Sequence, residues 1–248
     1  MDIDSLTKRD GLKPLSEILS PDIRHSSFVS IDTETGETHN RSLESHYANI
    51  ERYSLIEEVP EAIATQFDVA RNIYVYGWFE YRFLNVAEAK VLTVLELAIR
   101  ERVGDKALKS YIKQRKKDYR DATGKGLHLS SGLKTLIEYC KDQNLVRNQE
   151  FTAWQTHATQ KAYREAKWAQ FEWANAEMER TGKTEISVPV IEVEQLEPDE
   201  TYDHIQHLID HTNKVRNMYA HGSTSLYDPG TYSFEMVSEF INQLYDSE

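Results

Sequence analysis

Three long runs at helical spacing predict an all-α protein: a helical bundle with a long helical insertion and an N-terminal extension. In residues 86–103, VAEAKVLTVLELAIRERV, the side chains Leu92, Leu95, Ile99 and Val103 form an apolar stripe with the period of an α-helix. From about Gln149 to Arg180 the chain is rich in alanine and charge, with Trp154, Tyr163, Trp168, Phe171 and Trp173 along it. From near Thr201, the residues Ile205, Leu208, Ile209, Thr212, Val215 and Tyr219 fall on one helical face.

Residues 1–59 are polar and read as a partly irregular N-terminal extension. Within it, residues 31–38, IDTETGET, read as a turn or short hairpin, and one helix is expected near Leu43–Tyr53. Pro60 opens the main domain, 60–248, at a first helical position where proline is tolerated. That helix is expected to run to about Phe83 through Phe67, Ala70, Tyr74, Trp78 and Tyr81. Its aromatic density admits a base-stacking surface, but recurrence at helical spacing favours core or dimer interface.

After 86–103 comes a basic helix ending before Gly124, then a helix through Leu133, Leu136, Ile137 and Cys140 capped by Ser130 or Ser131. The 149–180 run would extend on the order of 45 Å. A compact domain needs less, so the helix projects or packs along a second subunit. Thr181-Gly182-Lys183 breaks it, Ser187–Val193 reads as a short strand, and Glu192–Asp203 is an acidic connector. Residues at about 147–200 thus form an insertion. Asp228-Pro229 starts a final helix through Phe234, Val237, Phe240, Ile241 and Leu244.

The composition points to the cytoplasm. The single Cys140 cannot form an intrachain disulfide and sits in an apolar helical pattern, as a core residue rather than a nucleophile. Charged residues throughout Met1–Pro21 argue against a signal peptide, and no apolar run reaches the length of a membrane span. The formal net charge is −12, which opposes general affinity for nucleic acid. Yet Lys106 to Lys125 holds eight basic residues against Asp118 and Asp121, a local net of +6. Lys109, Lys113, Arg115, Lys116, Lys117 and Arg120 form a candidate RNA footprint. A solvated helix face or a dock for an acidic partner would leave the same pattern.

The motif that carries chemistry is Arg216-Asn217-Met218-Tyr219-Ala220-His221, followed by Gly222. It joins a permanent cation to an imidazole that titrates near neutral pH. A cation can stabilise a phosphorane and an imidazole can move a proton, which is what RNA cleavage without a metal requires. Arg216 projects between Ile205 and Ile209 in the apolar arc, where an unpaired charge is costly. It therefore calls for a carboxylate or phosphate. His221 lies about 140° further round a continuous helix, so the two converge only if the helix stops near Ala220–His221, where Gly222 suits a helix end. The opposing reading is that arginine and histidine at a helix end serve its electrostatics alone.

Glu96 projects into the stripe of 86–103, next to Leu92 and Val103, and is expected to meet Arg216. The alternative partner is Arg100 at i+4. Tyr219, in the core stripe, and Asn217 are expected to orient the helix end or the substrate.

The all-helical pattern, the early acidic residue and the Arg-Asn-x-x-x-His motif at Arg216, Asn217 and His221 resemble the HEPN superfamily of bacterial and archaeal RNA-processing proteins. The resemblance covers roughly Pro60 to the C-terminus, with the insertion inside it. It implies a helical homodimer with its two motifs facing each other. It also implies metal-independent endoribonuclease activity, commonly in toxin–antitoxin or phage-defence settings, with an antitoxin or defence protein as a possible partner. Some members bind RNA without cutting it, so fold alone does not fix activity.

His204, His207 and His211 sit at i, i+3 and i+7 on the motif helix, a spacing that can align imidazoles on a transition metal. With no second ligand cluster, the row reads as a solvated or interface face. No metal, cofactor or membrane is expected.

Overall fold

A computed structural model describes residues 11–27, 29–31, 38–220 and 230–246 of the chain. It is an all-α fold with one small β-hairpin. The helices are α1 (Leu43–Glu51), α2 (Glu61–Tyr76), α3 (Phe83–Val103), α4 (Asp105–Thr123), α5 (Leu133–Asp142), α6 (Thr152–Thr181), α7 (His204–Ala220) and α8 (Tyr232–Tyr245). Strands β1 (Val29–Ile31) and β2 (Thr38–Asn40) pair antiparallel, with Ile31 opposite Thr38.

The bundle is organised around α3, which packs against α2, α5, α7 and α8. Its apolar stripe is broad: Leu84, Ala87, Val91, Leu92, Val94, Leu95, Ala98 and Ile99 are all buried. A helix hydrophobic on most sides belongs at the centre of a bundle. Parallel α3 and α8 are clamped by side-chain bonds to backbone carbonyls, since Arg102 Nε donates to that of Leu244 at 2.8 Å and Tyr245 Oη to that of Ala98 at 3.2 Å.

The first domain helix is shorter than the aromatic spacing suggests. It stops at Tyr76, and Gly77 turns the chain. A Cβ on residue 77 would stand 2.4 Å from Leu84 Cδ2 and 2.7 Å from the Tyr74 carbonyl oxygen. The start of α3 is thus pressed against the end of α2, which no residue but glycine permits.

Residues before Pro60 are knitted into this bundle. Ile50, Tyr53 and Val59 belong to its core. Ser42 and Ser45 form a reciprocal capping box that starts α1. The turn after α2 presents carbonyls outside the helical ladder, and the N-terminal segment supplies donors: His25 Nε2 to Gly77 O at 3.0 Å and Asp22 N to Trp78 O at 2.9 Å, while His46 Nε2 adds a second donor to Tyr74 O at 2.8 Å. Asp22 also accepts from Tyr81 N at 3.1 Å and pairs with buried Arg24 at 3.0 Å. The rings of His46 and His25 stack on Tyr74 and Trp78, with centroids 4.5 and 4.6 Å apart. Tyr74, Trp78 and Tyr81 are therefore buried, while Tyr76 and Phe83 stay exposed.

The insertion behaves differently. Helix α6 runs 30 residues and ends at Gly182, in the left-handed conformation at φ 67°. Beyond its base, where Phe151 and Trp154 enter the core, it is met by the returning chain rather than by the bundle. No strand forms at 187–193, because this stretch has no strand beside it. Its backbone bonds instead to α6 side chains, Pro189 O accepting from Gln170 Nε2 and Leu196 N donating to Thr159 Oγ1. Helix α5 is preceded by Gly132 with no side-chain cap, so neither Ser130 nor Ser131 performs the expected capping.

Candidate functional site

Helix α7 begins where Asp203 accepts from Gln206 N at 3.0 Å, an N-terminal cap. Asp203 also accepts from Lys141 Nζ at 2.6 Å. Burial raises the Asp203 pKa, but these hydrogen bonds outweigh it and hold the carboxyl below its usual value. Asn148 Oδ1 takes Ile205 N at 2.9 Å, so the start of α7 is tied to the segment leading into α6.

Ile205, Leu208, Ile209 and Thr212 are buried against α5 and α3, with Val215 packed at the edge of the core. This is the face that the spacing predicts. The motif lies on the last turn and beyond. Arg216, Asn217 and Tyr219 are described as backbone of α7, and His221 and Gly222 lie outside the described residues. The convergence of Arg216 and His221, and the pairing of Arg216 with Glu96, therefore turn on side chains outside the description.

Glu96 itself is well defined. Its side chain is 18% exposed and receives Arg100 Nη2 at 2.8 Å and Nε at 3.2 Å. Arg100 also donates to the Ser131 carbonyl. The i+4 partner weighed in the sequence is thus engaged, and it ties α3 to the turn before α5.

A second carboxylate escaped the sequence reading. Glu88 is buried on α3 and accepts from Ser233 Oγ, in the first turn of α8, at 2.7 Å. It lies at i+4 from Leu84 and i−4 from Leu92, more central to the stripe than Glu96. Extending the projection one turn upstream of the chosen stripe would have found it. It sits at the end of the bundle where α8 begins, just after the residues that follow the motif.

The basic helix α4 is only loosely attached, through buried Leu108 and half-buried Tyr111 and Ile112. Lys109, Lys113, Lys117 and Arg120 are exposed and Lys116 is half-buried. Arg115 differs, because it donates to Asp142 and to Tyr111 Oη, each at 2.9 Å, and so anchors α4 to α5. Burial and the hydrogen bond to Asp142 push the Tyr111 phenol upward in pKa.

The histidine row runs from the core to the surface: His211 is exposed, His207 is half-buried, and only His204 departs from the expected solvated or interface face. His204 is fully buried against Phe151, and its Nε2 has no hydrogen-bond partner. Burial, then neighbouring His207 and His157, push its pKa down to about 4. Burial and His211 lower that of His207 as well. The rings of His207 and His211 stack 4.0 Å apart, and His157 stacks on Tyr202 at 3.6 Å. Among the described residues no group of three or more His, Cys, Asp or Glu is arranged to hold a metal ion. Cys140 is buried, and burial pushes its thiol up to about 12, too high for a nucleophile near neutral pH.

No protein-family model, curated protein or solved structure matches this chain. None of the helices among the described residues is long and apolar enough to cross a membrane.

Proposed function

We propose that this protein is a metal-independent endoribonuclease of HEPN type, acting as a cytoplasmic homodimer in a toxin or phage-defence setting. The observation that supports this most is the register of α7. Burial of Ile205, Leu208, Ile209 and Thr212 follows the spacing from which the motif was read, and position 216 comes about one turn after Thr212. In this reading, RNA crosses a cleft between two copies of α7. His221 serves as general base on the ribose 2′-hydroxyl or general acid on the leaving 5′-oxygen, and the second subunit's His221 takes the complementary role. Arg216 stabilises the phosphorane charge. Glu96 holds Arg216 from behind while also binding Arg100, and Asn217 and Tyr219 orient the helix end. The exposed cations of α4 hold the strand. A cognate antitoxin or defence protein would control the activity.

The exposed cations of α4 also fit a second reading, a non-catalytic RNA- or protein-binding module in which Arg216 is structural. The two separate at His221. Wild-type protein is expected to leave 2′,3′-cyclic phosphate and 5′-hydroxyl RNA ends, because the nucleophile belongs to the RNA. His221→Ala is expected to abolish cleavage with an unchanged melting temperature. Ends bearing 3′-hydroxyl and 5′-phosphate, or cleavage surviving in His221→Ala, would reject the mechanism.

A further inference from the structure

The middle of α6 carries a surface that the proposed cleavage chemistry does not use. Lys161, Arg164, Lys167, Trp168 and Phe171 are all exposed. At about 100° per residue they fall within an arc of about 120° on the helix. The interval contains one carboxylate, Glu165, which projects outside that arc. Lys161, Arg164 and Lys167 make no ion pair or side-chain hydrogen bond among the described residues. Trp168 and Phe171 are 63% and 56% exposed, with ring centroids 5.9 Å apart. The Trp168 indole is held in place, since its Nε1 donates to Glu172 Oε1 at 2.9 Å. That bond also occupies the nearest carboxylate on the far edge.

Two grooves meet on this face. One, of about 370 Å³, is lined by Lys161, Arg164, Glu165, Trp168 and Ala169. The other, of about 600 Å³, runs between Tyr163, Arg164 and the returning segment Ile191–Val193. Arg164 lines both. Glu192 lines the second groove beside Arg164, and Asp199, nearer the base of the arm, is close enough to Lys161 to feel its charge.

We infer that this face of α6 is a docking surface for single-stranded RNA. Three unpaired cations interleaved with two open rings match a polyanion that also offers flat apolar faces. Base–aromatic stacking does not depend on sequence, and Arg164 can contribute a guanidinium plane as well as charge. A duplex hides its base faces, so the surface selects unpaired strands. The identification of the strand as RNA rests on the ribonuclease reading, whereas the surface itself does not. It would hold substrate on an arm outside the bundle that carries the motif.

The test uses full-length protein and a fluorescent 2′-O-methyl oligoribonucleotide of about 15 nucleotides, which lacks the nucleophilic hydroxyl and reports binding alone. Binding of this strand, tighter than that of its duplex, is expected, with quenching of tryptophan emission that disappears in Trp168→Phe. Trp168→Ala with Phe171→Ala is expected to weaken binding about tenfold or more. Lys161→Gln, Arg164→Gln and Lys167→Gln together are expected to flatten the plot of log affinity against log salt by about 2, at about 0.7 per phosphate. Unchanged affinity and salt slope in these variants, or equal binding of duplex, would overturn the inference. So would a loss of self-association in the RNA-free aromatic variant, which would make a second copy the occupant. If the oligonucleotide binds as stated while natural RNA is not cut, the ribonuclease reading alone fails. If RNA is cut with its proper ends while the arm variants bind normally, this inference alone fails.

Discussion

The N-terminal segment and the arm make an instructive pair. Residues 11–59 are polar, short in helix and poor in periodicity, yet they are fastened to the bundle. Helix α6 is long and rich in aromatics, yet it leaves Tyr163, Trp168, Phe171 and Trp173 exposed. Apolar content did not decide which segment joined the core. The turn after α2 offered the Gly77 and Trp78 carbonyls and a tyrosine–tryptophan surface, and the N-terminal segment brought His25 and Asp22 to the carbonyls and His46 to Tyr74. Such groups are expensive to bury unpaired. The arm meets no such demand, and only the returning chain covers part of it.

The largest expected effect tests that fastening. Asp22→Ala removes the carboxylate that pairs with buried Arg24 and accepts from Tyr81 N. Breaking this buried ion pair from one side should lower stability by about 3–5 kcal/mol, read by urea denaturation. A loss near zero would mean that the N-terminal segment is only draped over the bundle.

Second in size is the acid response of the joint between the bundle and the arm. The His204 pKa is about 4 in the fold and near its ordinary 6.5 when unfolded. Between these values the unfolded chain holds the extra proton, so stability rises with pH across this window and is lost as pH falls from 6.5 to 4. The loss should reach about 3 kcal/mol, measured as unfolding free energy against pH. His204→Leu should flatten that stretch of the curve, and an unchanged slope would show that another group sets it.

The smallest expected effect sharpens the contrast from the other side. Trp168→Ala with Phe171→Ala deletes two large rings and should change stability by no more than about 0.5 kcal/mol for each, because the rings are already in water. A clear fall in the melting temperature would show that the arm packs in solution as the N-terminal segment does.

Much of the helical plan was legible from spacing alone. The stripe of α3 and the face of α7 appear where the periodicity put them, and α6 where its alanine-rich composition did. Burial of Cys140 and of Tyr74 followed from the same periodicity, whereas Trp78 and Tyr81 lie beyond the end of α2 and are buried against the N-terminal segment. The site was legible only as a motif and a nearby carboxylate. Glu96 was singled out, but its binding by Arg100 depended on rotamers, and Glu88 was missed because the stripe was read from Leu92 onward. Arg115 looked like the other cations of α4. Only the approach of α5, bringing Asp142, sets it apart.

By itself the sequence determined the local order: where helices run, which face of each is apolar, and that Arg216, Asn217 and His221 share one short motif. Those facts depend on spacing along one chain, which a helical period of 3.6 residues converts directly into geometry. Tertiary structure alone decided which polar groups were drawn inside, such as Asp22, Arg24, His46, Glu88 and His204. Their burial depends on partners distant in the chain, and no local period records where two helices will leave a carbonyl or a cavity to be filled.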